Sequence, residues 1–222
     1  MKPVLTASRW PEGSNARVVH ALLLWVAFVA LCHVTRLVIL PNLHALGFLV
    51  GAILYYGGVL GVGMIGVGRL RARDLGLTLA GWHRETLIGL VAVAAISAAL
   101  LLWNGVMHGA DEARGLLDRI TGYSLSQRLG FFGVGLMAAS AEDTLFRGYI
   151  QPALMARCGA WAGVVATMAL FQVHHYVDWP TATRVGCLVI TGVGFGIPRW
   201  RDRPLIASYV AHAGLWTLWG NA

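Results

Sequence analysis

The chain has 222 residues, of which 57% are apolar and only 12% are charged, and its mean hydropathy is +0.66. A soluble domain typically carries roughly 25% charged residues, so this composition excludes an ordinary soluble globular protein. The net charge of +7 does not indicate nucleic-acid binding, because the basic residues form short clusters between apolar runs. The three cysteines are scattered and form no CxxC pair, which predicts neither a disulfide framework nor a zinc knuckle.

Apolar runs recur along the chain, and a helix needs roughly 20 residues to cross a bilayer. We predict an all-α, polytopic transmembrane bundle of about seven (six to eight) spans, forming a single integral-membrane domain over residues 1–222. The polar stretch between the third and fourth spans, from His108 to Arg128, is interpreted as an ordinary loop. The predicted spans are Val18–Leu40, Leu43–Gly68, Thr86–Val106, Leu129–Ala156, Ala160–Val177, Thr183–Pro198 and Pro204–Gly220.

The basic residues predict the orientation of the chain in the membrane. Eleven lysines and arginines fall on the side of the N-terminal tail, 1–17, and five fall on the opposite side. The positive-inside rule therefore predicts a cytoplasmic N-terminus. The first apolar run begins after Arg17 and lacks the small residue of a signal-peptide cleavage site, so we interpret it as a retained span. A compact chain of this kind is expected in the bacterial inner (plasma) membrane.

Ionisable side chains within apolar spans mark candidate sites, because each costs about 2.5 to 3.5 kcal/mol even on the lenient insertion scale. In the fourth span Asp143 and Arg147 are four residues apart, which predicts an ion pair on one face of a helix. Glu142 points about 100° away from that face. We therefore expect another helix to supply the groups that face Glu142.

Histidines are the groups predicted to face Glu142. His174 has Asp178 four residues later, which predicts a local structural pair, whereas His175 and His212 have no carboxylate partner on their own helices. One carboxylate and two imidazoles can hold Zn²⁺. The same three groups can also activate water directly, with Glu142 as the general base. Both chemistries predict hydrolysis, and the residues leave the choice between them open.

Three motifs, in order, lie in the last four spans: Glu142-Asp-xxx-Arg147-Gly148, Phe171-xxx-His175, and Pro204-Leu-Ile-Ala-Ser-Tyr-Val-Ala-His212. They resemble the CPBP family of intramembrane proteases, which includes the eukaryotic CAAX prenyl endopeptidase and bacterial Abi-type proteins. The resemblance covers about residues 129–220. It implies an endopeptidase of the glutamate type, in which Glu142 activates water with the help of His175 and His212. It also implies that Arg147 holds the first motif together and that no metal cofactor is needed, zinc being the alternative.

Two positions depart from the family pattern. At the position where the family usually has a second glutamate, this chain has Asp143. The aspartate side chain is one methylene shorter than that of glutamate and can still pair with Arg147. Four residues after the histidine of the third motif, the family usually has an asparagine, and this chain has Trp216. An indole N–H donates one hydrogen bond and accepts none, so we expect Trp216 to replace an oxyanion donor imperfectly.

The expected substrate is a membrane-embedded or lipid-anchored peptide or protein, and the other expected partner is the lipid bilayer. The alternative is a non-catalytic membrane scaffold or a bacteriocin-immunity-type module, which the replacement at Trp216 favours. Haem binding by His20 and His33 is a minor alternative, because residues thirteen apart face different sides of a helix.

Overall fold

The computed structural model describes residues 11, 13–39, 50–173, 182–200 and 204–220, and this part of the chain contains eight helices and no strand. The predicted all-α transmembrane bundle is confirmed. Single 3₁₀ turns at Ala72–Leu75 and Ile197–Arg199 lie in the connections. The helices are α1 Asn15–Ile39, α2 Val50–Val67, α3 Trp82–His108, α4 Ala110–Thr121, α5 Leu125–Cys158, α6 Ala160–Val173, α7 Ala182–Gly196 and α8 Ile206–Trp219.

Each of the seven predicted spans overlaps one helix among the described residues. Four helices, α1, α2, α3 and α5, are long and apolar enough to cross a membrane. The described parts of α6, α7 and α8 contain 14, 15 and 14 residues. These three are shorter than the roughly 20 residues that a perpendicular crossing needs.

The segment from His108 to Arg128 is not the loop that we expected, since it contains α4. Leu116 and Ile120, four residues apart, are buried against α3 and α8, while the acidic and basic side chains of α4 are exposed. The prediction was wrong because so narrow an apolar stripe adds little to the mean hydropathy of the segment.

Helix α5 is the longest element and contains two π-helical turns, Ala139–Asp143 and Phe146–Ile150. Its start is fixed by a capping box, in which Ser124 accepts from the Gln127 N–H and the Gln127 side chain accepts from the Ser124 N–H. Pro152 follows the second π-turn, and a proline ring clashes with the carbonyl four residues earlier, which favours a wider turn there. At 1.5 Å per residue, the 34 residues of α5 span about 51 Å, and Glu142 lies near the midpoint.

Helix α8 lies between α3 and α5 and packs closely against both. A Cβ added at Gly89 of α3 would lie 2.6 Å from Val210 Cβ, and one added at Gly135 of α5 would lie 2.5 Å from Trp216 Cβ. These two glycines allow the backbones to approach, so α8 is held in a fixed position beside the first π-turn of α5.

Candidate active site

The first π-turn of α5, Ala139–Asp143, contains both Glu142 and Asp143 and lies near the midpoint of the helix. Hydroxyl groups bond the carbonyls of this turn: Tyr55 donates to the Ala141 carbonyl, and Thr144 donates to the Ser140 carbonyl at 2.6 Å. π-turns are rare and occur frequently at functional sites. The turn is therefore supported from outside α5 as well as by its own helical hydrogen bonds.

Asp143 and Arg147 form the ion pair that their spacing predicts, with Arg147 Nε 3.6 Å from Asp143 Oδ1. Both side chains are buried, at 0% and 1% exposure. The guanidinium lies over the ring of Phe171 at 4.0 Å and is also close to the rings of Phe146 and Phe195. A buried cation is thus matched by one carboxylate and by the negative faces of aromatic rings.

His212, on α8, contacts both carboxylates of the π-turn. Its Nδ1 lies 3.4 Å from Asp143 Oδ2, and its Nε2 lies 3.9 Å from Glu142 Oε2. The imidazole also stacks on Phe195 of α7, with a centroid distance of 4.5 Å and an interplanar angle of 16°. A carboxylate beside Nδ1 favours the proton on that nitrogen, which leaves Nε2 directed towards Glu142.

An apolar cavity of about 430 Å³ lies beside Glu142. The Glu142 side chain is 18% exposed, whereas the neighbouring Asp143 is fully buried. Glu142 is the one charged side chain among the described residues that line the cavity. The lining residues belong to α1, α2 and α5: Phe28, Leu31, Cys32, Thr35, Gly51, Ala52, Tyr55, Tyr56, Val134, Met137, Ala138, Ala141 and Glu142.

The structure brings four of the predicted site residues together: Glu142, Asp143, Arg147 and His212. His175, with its neighbour His174, lies outside the described residues, so its predicted place beside Glu142 stays a prediction. Trp216 packs its Cβ and Cγ against Gly135, one helical turn beyond His212, and is not among the residues that line the cavity. Its predicted role as an oxyanion donor therefore also stays a prediction.

Arg199 is a residue of the site that no sequence motif indicated. Arg199 follows the sixth predicted span directly, which places it among the basic residues on the side of the N-terminal tail, yet it is only 5% exposed and its Nε donates to the Arg147 carbonyl at 3.2 Å. Its guanidinium lies under Gly76, whose φ of +76° and lack of a side chain permit the contact. An arginine beside a span resembles a topology signal, so no sequence pattern separates this structural arginine from its neighbours.

Phe195, whose ring stacks on the His212 imidazole, is a second residue of the site that the sequence motifs did not indicate. Phe195 belongs to none of the three motifs, but it contacts both His212 and the Arg147 guanidinium. Phe171, by contrast, belongs to the second motif, and its ring lies 4.0 Å from the guanidinium.

The family model described as Rce1-like type II CAAX prenyl endopeptidase matches residues 124–218. The predicted resemblance to this family is confirmed over these residues. The matched residues begin at the cap of α5 and end in α8, so they include both the π-turn and His212. The match supports a protease of the CAAX type within an integral membrane protein. No curated protein and no solved structure matches the chain significantly.

Proposed function

We propose that the chain is an intramembrane endopeptidase that hydrolyses a peptide bond of a membrane-embedded or lipid-anchored substrate. The observation that best supports this is the position of Glu142: it faces an apolar cavity on one side and the Nε2 of His212, at 3.9 Å, on the other. A carboxylate with an imidazole beside it, and with access from a cavity, is the arrangement that general-base activation of water requires.

In the proposed reaction, Glu142 takes a proton from water while the water oxygen bonds to the peptide carbonyl carbon. His212 assists through Nε2, and Asp143 holds the ring by its contact with Nδ1. The resulting oxyanion needs a hydrogen-bond donor, and His175 and Trp216 are the residues proposed to supply one. Glu142 then returns the proton to the leaving nitrogen as the C–N bond breaks.

A hydrophobic substrate is proposed because the cavity beside Glu142 is lined almost wholly by apolar side chains of α1, α2 and α5. The test is a fluorogenic, prenylated CAAX-type peptide, offered to the full chain in nanodiscs beside the same peptide without its prenyl group. We expect cleavage of the prenylated peptide and slower cleavage of the other. Binding of the prenylated peptide without cleavage would contradict the proposal and favour a scaffold.

The donor set also fits zinc in part, since Glu142 Oε2 and His212 Nε2 face each other. Asp143 Oδ2 lies 3.4 Å from the other ring nitrogen of His212, where a carboxylate can orient a ligating imidazole. His175 would be the third ligand. We propose the metal-free reaction because the family resemblance implies it. Activity should therefore survive a membrane-permeant chelator, and elemental analysis should find no stoichiometric zinc in active protein. Loss of activity that zinc restores would assign the metal mechanism.

The alternative of a non-catalytic module is favoured by the tryptophan at position 216, where the family usually has asparagine. The two functions differ in their dependence on Glu142. A biological phenotype that survives Glu142→Gln would favour the module.

A further inference from the structure

Three tyrosine hydroxyls surround the first π-turn of α5, and each has a hydrogen-bond acceptor on α5 for its proton. Tyr55 donates to the Ala141 carbonyl, because a carbonyl only accepts. Tyr56 donates to the Met137 carbonyl at 3.2 Å, and its hydroxyl also bonds Ser140 Oγ at 2.7 Å. The same reasoning applies on the α8 side.

Thr144 donates its proton to the Ser140 carbonyl, so Tyr209 donates to Thr144. All three phenolic protons are therefore engaged with the turn. Because its single proton is already donated, each phenol can form a further hydrogen bond only as an acceptor, through a lone pair on its oxygen. None of the three hydroxyls is then a donor for an oxyanion, but one of them is well placed to accept from water.

Tyr55 is that residue. It lines the cavity together with Glu142, and its bond is to Ala141, the residue directly before Glu142. Tyr55 is buried, with its ring packed edge-on against Phe28 at a centroid distance of 5.2 Å. The hydroxyl is thereby fixed at the carbonyl of the residue before Glu142, in the wall of the cavity that Glu142 also lines.

We propose that Tyr55 is a catalytic residue, whose hydroxyl oxygen accepts a hydrogen bond from the water that Glu142 deprotonates. This rests on the proposed function. The water has two O–H groups: the proton of one passes to Glu142 as the water oxygen bonds to the peptide carbonyl carbon, and the other O–H stays bonded to Tyr55. The proton on Glu142 then passes to the leaving nitrogen as the C–N bond breaks.

Two fixed acceptors orient the water, so that a lone pair of its oxygen points at the carbonyl carbon. Orientation of this kind is a large part of catalysis, and a misplacement of about 1 Å can cost about a hundredfold in rate. Tyr55 lies on α2, outside residues 124–218, so the family match does not contain it. The N-terminal helices would then contribute to the reaction as well as to the walls of the cavity.

The test compares Tyr55→Phe with Tyr123→Phe in the full chain, with the prenylated peptide as the probe. Tyr123 is the control, since it lies between α4 and α5, is not among the residues that line the cavity, and donates its hydroxyl to the Trp219 carbonyl at 3.4 Å. We expect Tyr55→Phe to lower kcat about ten- to hundredfold, with KM within about twofold of wild type. Tyr123→Phe should stay within about threefold in both constants.

The outcomes separate the two proposals. Cleavage by wild type together with full activity of Tyr55→Phe would overturn the role of Tyr55 alone. Equal losses in both variants would assign the effect to the loss of a tyrosine hydroxyl anywhere in the bundle and also overturn it. A wild-type chain that cleaves nothing would overturn the proposed function itself. If Tyr55→Phe does not fold, an experimental structure of the wild type decides: we expect a water within hydrogen-bond distance of Tyr55 Oη and a Glu142 carboxylate oxygen, and a map without that water would overturn the proposal.

Discussion

The two sides of α5 at its first π-turn are built differently. On the side of α1 and α2, Glu142 borders an apolar cavity and is 18% exposed. On the side of α6, α7 and α8, Asp143 and Arg147 are buried among Phe171, Phe195 and His212. Neighbouring residues in the sequence therefore meet opposite environments, one open to a ligand and the other closed.

This difference suggests that Glu142 takes part in the reaction and that the Asp143–Arg147 pair stabilises the fold. A carboxylate that borders a cavity can exchange protons with whatever enters, whereas a buried ion pair is held in place by the cost of breaking it. Substitutions on the cavity side should change turnover and leave stability alone. Substitutions of the buried pair Asp143 and Arg147 should change stability first.

The largest expected effect concerns the histidines. His212→Ala and His175→Ala should each lower turnover by about 10²- to 10⁴-fold, because each removes a group proposed to act on the water or the oxyanion. His174→Ala should be much milder, which makes it the control for its neighbour. Single-turnover kinetics on the prenylated peptide measure all three. Equal losses at positions 174 and 175 would show that the wrong imidazole was selected.

Removal of the buried cation tests the closed side. Arg147→Ala leaves Asp143 as an uncompensated carboxylate in a closed environment, and breaking a buried pair typically costs about 3 to 5 kcal/mol. Arg157→Ala is the control on the same helix, since Arg157 is exposed and bonds only to Asn15 at 3.1 Å among the contacts described. Thermal unfolding in detergent should show a large loss for the first and almost none for the second. An Arg147→Ala chain as stable as wild type yet inactive would instead move Arg147 into the chemistry.

A smaller effect is expected where α8 approaches α5. In Gly135→Ala the new Cβ would lie 2.5 Å from Trp216 Cβ and 3.0 Å from Ala213 Cα, so the helices must separate. Overpacking of this kind costs about 1 to 3 kcal/mol, and it should also displace His212 and lower turnover. Gly133→Ala, on the same helix with no atom within 4 Å of the added Cβ, should be neutral or slightly stabilising. A Gly135→Ala chain as stable and active as wild type would show that α8 has freedom to move.

The smallest expected effect lies outside the membrane spans, in the turn at Ala72–Leu75. Burial raises the pKa of Asp74, but the hydrogen bonds and the charge of Arg71, 3.1 Å away, outweigh it and hold the pKa below its ordinary value. The pair therefore stabilises the fold at neutral pH, and this contribution is lost as the pH falls below about 4. Since the pair is partly exposed, Asp74→Asn should cost less than about 1 kcal/mol at pH 7. Unfolding of both chains at pH 7 and pH 3 checks the sign, and a difference that grows at pH 3 would contradict it.

The sequence predicted the features that depend on composition and local spacing. Runs of apolar residues predicted the bundle, and the four-residue spacing of Asp143 and Arg147 predicted their ion pair. The approach of His212 to Glu142 was also expected, but the other features that depend on contacts between helices were not predictable. The contact between Asp143 and His212, the stacking of Phe195 and the burial of Arg199 arise only when α5, α7 and α8 pack together. The π-turns also went unpredicted, because the hydroxyls that support the first one come partly from α2, more than 80 residues away.

The most direct test of the account is Glu142→Gln, measured for both activity and stability in nanodiscs. The amide has nearly the shape of the carboxylate but cannot take a proton from water, so turnover of the prenylated peptide should fall about 10²- to 10⁴-fold. The unfolding temperature should match that of wild type, because Glu142 borders the cavity and the buried pair beside it is untouched. Glu112→Gln, at an exposed position on α4, should change neither quantity. Residual activity above about a tenth of wild type would contradict the role of Glu142 as the general base.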